Sequence, residues 1–117
     1  TFATNQYSKY RHPDSTLKRL REVGAYCLKN KINLNLIIVP HHKEFHDRLV
    51  DFKLTREEIQ FKEEIRHIGR VIDFDYPNSI TNCKSCFTDP IHTNDSISEI
   101  IVNDIFTDSL VVGKLLQ

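Results

Sequence analysis

Residues 36–39 read Leu-Ile-Ile-Val and are followed directly by Pro40. A short, β-branched apolar run of this kind predicts a strand, and its lack of polar alternation indicates that both faces of the strand are covered. We therefore expect a strand over 32–39 that ends at Pro40, which has no N–H to donate to a neighbouring strand. Strands covered on both faces are typical of parallel sheets with helices on either side.

The rest of the chain predicts helices in alternation with strands. We expect helices over 14–30, within 41–52 and over 94–106, and a second strand over 71–74. A further helix is expected to begin at the capping-box spacing of Thr55 and Glu58 and to stop at Gly69. Alternation of this kind predicts an α/β fold with a parallel sheet flanked by helices.

The expected sheet is too small for a complete three-layer domain, because only two strands are evident. The chain also contains no methionine and opens at Thr1. We expect residues 1–117 to form a single domain or, more specifically, the carboxy-terminal portion of a larger α/β domain. Residues 1–12 form an irregular leading segment in this interpretation, 75–93 a long loop and 107–117 a tail.

Charge and composition indicate which classes of partner are not expected for this chain. Lys and Arg together number 16, as do Asp and Glu, so the net charge is zero and gives no electrostatic reason to expect nucleic acid. No run approaches the roughly 20 apolar residues of a membrane span, so we expect no membrane contact within this chain. Three cysteines are an odd number and indicate no disulfide framework.

The pattern Asp89-x-x-His92 stands at the end of the long loop, just before the last predicted helix. A three-residue spacing on a tight turn can bring a carboxylate to an imidazole, fix its tautomer and leave the other ring nitrogen as a general base. Thr93 or Asn94 can cap the helix that follows. The alternative interpretation is a capped helix with a surface histidine.

The order of several short motifs resembles the carboxy-terminal portion of SGNH (GDSL-like) hydrolases, closest to a group of uncharacterised bacterial SGNH-like proteins. These motifs are the apolar strand with Pro40 and His42, Val-Ile-Asp-Phe at 71–74, Asn-Ser-Ile-Thr at 78–81 and Asp89-x-x-His92. They cover most of residues 14–106. The resemblance implies a flavodoxin-like three-layer fold.

The resemblance also implies roles for individual residues. Asp89 and His92 would be the acid and base of a catalytic triad, and His42 would touch substrate or brace the loop. The parent protein would be a serine-dependent ester hydrolase or O-acyltransferase acting on small acyl esters, such as those of carbohydrate or cell-envelope polymers. This chain has no Gly-Asp-Ser turn to supply the nucleophile, so we expect the chain alone to be inactive. The alternative is a non-catalytic binding or assembly module.

Two further interpretations concern metal and redox chemistry. His42 and His46 are four residues apart, and Cys83 and Cys86 form a single Cys-x-x-Cys. A combined zinc site or a redox protein is conceivable, but zincins require His-Glu-x-x-His and structural zinc requires a second ligand pair with standard spacing. We expect two loop thiols, no bound metal and no cofactor.

Overall fold

The computed structural model describes residue 4 and residues 7–89, 91–107 and 109–117. Its elements are α1 (Asp14–Lys29), β1 (Asn35–Ile38), α2 (Lys43–Asp51), α3 (Thr55–Ile65), β2 (Arg70–Asp73), a short 3-10 helix (Lys84–Cys86), α4 (Asp95–Ile105) and β3 (Lys114–Leu116). Within these residues, no helix combines the length and the apolar content needed to cross a membrane. Residues 7 and 8, expected to be irregular, are helical.

The sheet has the strand order β1-β2-β3 and is mixed. β1 and β2 are parallel, with Leu36 opposite Val71, which confirms the predicted parallel pairing. β3 runs antiparallel to β2, with Leu115 opposite Ile72. The fold is therefore α/β, but the sheet is not wholly parallel, and the segment expected to be a tail supplies its third strand.

Two successive residues of β2 belong to two different hydrophobic clusters, one on each side of the sheet. Val71 packs with Leu17 of α1 and Ile65 of α3 on one side of the sheet. Ile72 packs with Ile101 of α4 on the other side, in a cluster that also contains residues of the long loop. Both β2 residues have no exposed surface, as expected where successive side chains point to opposite faces and each face is covered.

β3 is held against the core by a buried carboxylate. Asp104, near the end of α4, is 2% exposed and accepts hydrogen bonds from the backbone N–H groups of Val111, Val112 and Gly113 at 2.9, 2.7 and 2.6 Å. Gly113 follows this turn closely against the sheet, since a Cβ there would lie 2.7 Å from Cγ2 of Ile72. A short polar side chain on α4 thus converts the last residues into an edge strand.

α3 begins at Thr55 as predicted, but the predicted cap at its start and the predicted stop at Gly69 are wrong. Thr55 is the first residue of α3 and makes no capping bond; Leu54 precedes the helix instead. The helix ends at Ile65, before Gly69, and Gly69 does not have a positive φ. Its lack of a side chain serves close packing, because a Cβ there would lie 3.0 Å from the carbonyl oxygen of Leu34.

Replacing Asp104 tests this account of β3. Asp104→Ala leaves three backbone donors without their acceptor, and hydrogen bonds to charged groups contribute about 1.5–3 kcal/mol each. We expect the free energy of unfolding to fall by about 2–4 kcal/mol, measured by urea titration. Glu99→Gln, on the exposed side of the same helix, is the matched control and should change the unfolding free energy by no more than about 0.5 kcal/mol. Equal stabilities of the two variants would contradict the account.

Candidate functional site

Asp89 and His92 form a hydrogen-bonded pair at the tip of the long loop. Nδ1 of His92 lies 2.6 Å from Oδ2 of Asp89, within the reach that the three-residue spacing predicted. The side chains are 67% and 47% exposed for His92 and Asp89, so the pair is open to solvent. Pro90, which directly follows Asp89 in the sequence, lies outside the described residues.

The second oxygen of the Asp89 carboxylate fixes the turn itself. Oδ1 accepts the backbone N–H groups of Ile91 at 2.8 Å and His92 at 2.9 Å. The hydrogen bond from Ile91 and then the one from the His92 imidazole hold the pKa of Asp89 below its usual value. An ionised carboxylate can only accept hydrogen bonds, so Nδ1 of His92 carries a proton and its N–H group donates a hydrogen bond to Asp89. This arrangement leaves Nε2 as the basic nitrogen of neutral His92.

His92 borders a cleft at the carboxyl end of β1. The cleft has a volume of about 320 Å³ and is lined by a largely apolar set that includes Val39, Pro40, Ile101 and Val102. In the described part of the chain, Nε2 of His92 accepts or donates no hydrogen bond. A histidine that lines an open cleft and has one ring nitrogen free can take a proton from a reacting group that enters the cleft.

The loop that carries the pair is anchored at its base. Asn94 caps α4, because its Oδ1 accepts the N–H of Ile97 at 3.0 Å, which confirms the cap predicted at this position. Asn94 also donates its backbone N–H to the carbonyl of Cys86 at 2.8 Å and its Nδ2–H to the carbonyl of Ser85 at 2.9 Å. Higher in the loop, Thr88 donates its N–H to the carbonyl of His92 at 2.8 Å.

Cys83 and Cys86 are joined by a disulfide across the 3-10 turn. The expectation of two loop thiols is therefore wrong. An odd number of cysteines excludes only a fully paired set, and Cys27 is the buried thiol left over. In this state the two sulfurs are bonded to each other and are not thiolate ligands.

The Asn-Ser-Ile-Thr motif is a scaffold for the loop. Oδ1 of Asn78 accepts the N–H groups of Ile80 and Thr81, and its Nδ2 donates to the carbonyls of Phe74 and Tyr76. Ile80 is 3% exposed and belongs to the core cluster beside α4. The motif thus turns the chain back over the sheet and directs the following residues towards the candidate site.

His42 caps α2 and also borders a second cavity. Its Nδ1 accepts the N–H of Glu44 at 3.3 Å, and its ring meets that of Phe87 edge-on, with centroids 5.6 Å apart. The cavity of about 190 Å³ is lined by His42, Glu44, Lys84, Phe87, Thr88 and Asp89. His42 and Asp89 therefore share one cavity, whereas His92 faces the cleft beside β1. The role of His42 in substrate binding stays a prediction.

A second carboxylate with two histidine partners escaped the sequence analysis. Asp75, just after β2, lies 3.1 Å from Nδ1 of His41 and 2.9 Å from Nε2 of His46, and it accepts the backbone N–H of His41 at 2.8 Å. The partners are 34 and 29 residues away in sequence, so no local motif marks them. The sequence offered one signal for this cluster. His41 and Asp75 follow the carboxyl ends of β1 and β2, which are neighbouring parallel strands, and open α/β sheets place their sites at such ends.

Lys62 of α3 extends this cluster to the sheet. Its Nζ donates to Oδ2 of Asp73 and to the carbonyl of Asp75, both at 2.7 Å. Burial is the largest single influence and lowers the pKa of Lys62, but the hydrogen bond to Asp73 and the negative charges of Asp73, Glu58 and Asp75 together raise it. His46 is committed to Asp75 and not to a site with the cysteines. Among the described residues, no group of three or more His, Cys, Asp or Glu side chains could hold a metal ion.

Comparisons with models of protein families, with curated proteins and with solved structures find no match for this chain. Function is therefore inferred from the geometry of the site and from the motif resemblance described above.

The Asp75 cluster predicts how stability depends on pH. The hydrogen bond to Asp75 raises the pKa of His46, so its contribution is complete below about pH 6.5 and is lost as the pH rises through the raised value. Burial alone would raise the pKa of Asp75, but its hydrogen bonds from His41 and His46 outweigh it and hold the pKa well below the usual range. Its contribution is complete above about pH 4 and is lost as the pH falls.

We therefore expect His46→Gln to lose most stability, relative to the unmodified chain, between about pH 4 and pH 6.5. The deficit should shrink as the pH rises beyond that window, as measured by urea unfolding at successive pH values. His67→Gln is the control. His67 is 63% exposed, and its partner Glu63, 3.4 Å away, is exposed as well, so loss of this contact should change stability little. A deficit for His46→Gln that does not vary with pH would refute this interpretation.

Proposed function

We propose that this chain is the carboxy-terminal portion of an SGNH-type α/β domain and supplies the acid and base of a serine-dependent ester hydrolase or O-acyltransferase. The substrates would be small acyl esters, including those of carbohydrate or cell-envelope polymers. His92 is the general base in this proposal, and Asp89 orients it. The resemblance to SGNH hydrolases contributes the reaction class, and the geometry of the pair supports the two roles.

The observation that carries the proposal is the arrangement around Asp89. One carboxylate oxygen holds the turn through two backbone N–H groups, and the other holds Nδ1 of His92 at 2.6 Å. In catalytic triads on unrelated folds, the base is a histidine that a carboxylate orients, with its second ring nitrogen free to take a proton. The capped-helix alternative accounts for Asn94, but it gives no reason for the second oxygen of Asp89 to meet His92.

The open edge of β1 is consistent with a missing part of the domain. In the described residues, β1 pairs with β2 on one side and with no strand on the other. Val39 and Val102, which line the cleft beside His92, are 53% and 50% exposed. A further parallel strand beside β1 would cover this apolar surface, and its carboxyl end would open into the same cleft. We propose that the nucleophilic serine follows such a strand.

The proposed reaction begins with attack of the serine oxygen on the ester carbonyl. Nε2 of His92 takes the serine proton as the new C–O bond forms, and the resulting imidazolium is stabilised by Asp89. His92 then returns the proton to the leaving alcohol as the ester C–O bond breaks. In the second half, water or an acceptor hydroxyl attacks the acyl-serine and His92 takes its proton. His92 then returns this proton to the serine oxygen as the bond between the acyl group and the serine breaks.

A non-catalytic binding or assembly module is the alternative. It retains the fold and the loop but has no serine. The deciding observation is the sequence that precedes Thr1 in the natural protein: a Gly-Asp-Ser-like turn after an apolar strand favours the enzyme, and its absence favours the module.

The activity test uses the natural full-length protein and p-nitrophenyl acetate. We expect ester hydrolysis by the full-length protein and none above background by residues 1–117 alone. His92→Ala should lower kcat/KM by about three orders of magnitude or more, as for removal of a triad base, and Asp89→Asn somewhat less, because only orientation and charge support are lost.

His67→Ala, another exposed histidine, is the matched control and should leave kcat/KM unchanged. The exposed positions of Asp89 and His92 predict that both variants fold normally, which circular dichroism can check. Full hydrolytic activity in a folded His92→Ala variant would exclude the proposed role of His92.

A further inference from the structure

The Cys83–Cys86 disulfide lies at the base of the loop that carries the catalytic pair. The carbonyl group of Ser85, within the disulfide ring, and that of Cys86, directly after it, accept the side-chain and backbone N–H groups of Asn94 at 2.9 and 2.8 Å. Asn94 is two residues from His92 and caps α4. Asn94 therefore links the disulfide ring to the segment that carries His92.

Backbone contacts also join the two sides of the loop between this base and Asp89. Phe87 and Thr93 form an isolated antiparallel bridge, and Thr88 donates its N–H to the carbonyl of His92 at 2.8 Å. These contacts hold residues 86–89 against residues 91–94 as the two sides of a narrow hairpin, with Asp89 near its tip. A hairpin of this length has little stability by itself and depends on how its base is fixed.

The disulfide acts locally and is accessible. It closes a ring of only three residues in sequence separation, and the stabilisation that a disulfide gives to a whole domain is smallest for short rings. Both cysteines are only partly buried, and the exposed Lys84 lies between them. A nearby cation favours thiolate chemistry, and partial exposure admits an attacking thiol. Cys27, by contrast, is 8% exposed and lies on α1.

We propose that Cys83 and Cys86 are a reversible thiol–disulfide modification site that controls the order of the Asp89–His92 loop. The disulfide form holds the loop in the geometry described above, and the dithiol form releases its base. The proposal rests on the proposed function for its meaning, since the loop it controls carries the proposed catalytic pair.

The redox step needs a dithiol as co-reactant. A thiolate of the dithiol attacks one sulfur, the Cys83–Cys86 bond breaks, and a mixed disulfide forms. The second thiol of the reagent then attacks the mixed disulfide and is released as a disulfide. Two electrons pass from the dithiol to the protein, and Cys83 and Cys86 end as two thiols, each with a proton.

Hydrogen exchange on the folded chain tests the proposal without any activity assay. Amide exchange is measured by NMR before and after treatment with dithiothreitol. We expect the Thr88 and Asn94 amides to exchange about tenfold faster in the reduced form, the factor given by the loss of one typical hydrogen bond. The Ile80 and Thr81 amides, bonded to Asn78, are the internal reference and should change less than about twofold.

Two variants complete the test. The Cys83→Ser/Cys86→Ser variant should show fast exchange at Thr88 and Asn94 with or without reductant. Cys27→Ser should respond to reductant as the unmodified chain does. If the double variant does not fold, the reduced and reoxidised unmodified chain decides the question, because reoxidation should restore slow exchange.

Equal exchange at Thr88 and Asn94 in the oxidised and reduced forms would overturn the proposal. So would alkylation of both Cys83 and Cys86 after treatment of the protein with an oxidised dithiol, since it would show that no disulfide forms. Failure of the proposed function looks different. In that case His92→Ala retains hydrolysis, while the redox response of the two amides is still observed.

Discussion

The buried carboxylate of Asp73 is the constraint on which the carboxyl ends of the strands depend. It is 2% exposed, and a buried charge without a partner costs several kcal/mol. Lys62 therefore has to reach it from α3, and the same ammonium group fixes the carbonyl of Asp75. Asp75 in turn holds His41 and His46, so the turn after β1 and the start of α2 are secured to the end of β2.

The loop with the candidate site is built outwards from this cluster by short-range polar contacts. Asn78 turns the chain over the core, and the carbonyl of Thr81 accepts the N–H of Lys43 at the start of α2, 2.9 Å away. The disulfide ring and Asn94 then fix the base of the hairpin. The Asp89–His92 pair thus combines an exposed, locally determined geometry with support from a buried charge network, as a preorganised site requires.

Local patterns predicted what local forces determine. The parallel pairing followed from the apolar run before Pro40, and the contact of Asp89 with His92 followed from their spacing. The third strand could not be predicted in this way, because it depends on Asp104 meeting three N–H groups 7–9 residues further along the chain. The Asp75 cluster joins residues about 30 apart in sequence, and the disulfide depends on the proximity of two sulfurs in the folded loop.

The geometry of the pair indicates that Asp89 sets the tautomer of His92 and leaves Nε2 without a proton. Nitrogen-15 NMR of the imidazole ring measures this directly, at a pH where His92 is neutral. The account predicts that Nδ1 carries the proton and that Nε2 does not, and that Asp89→Asn removes this preference. A neutral His92 with its proton on Nε2, or with equal populations of the two tautomers in the unmodified chain, would contradict it.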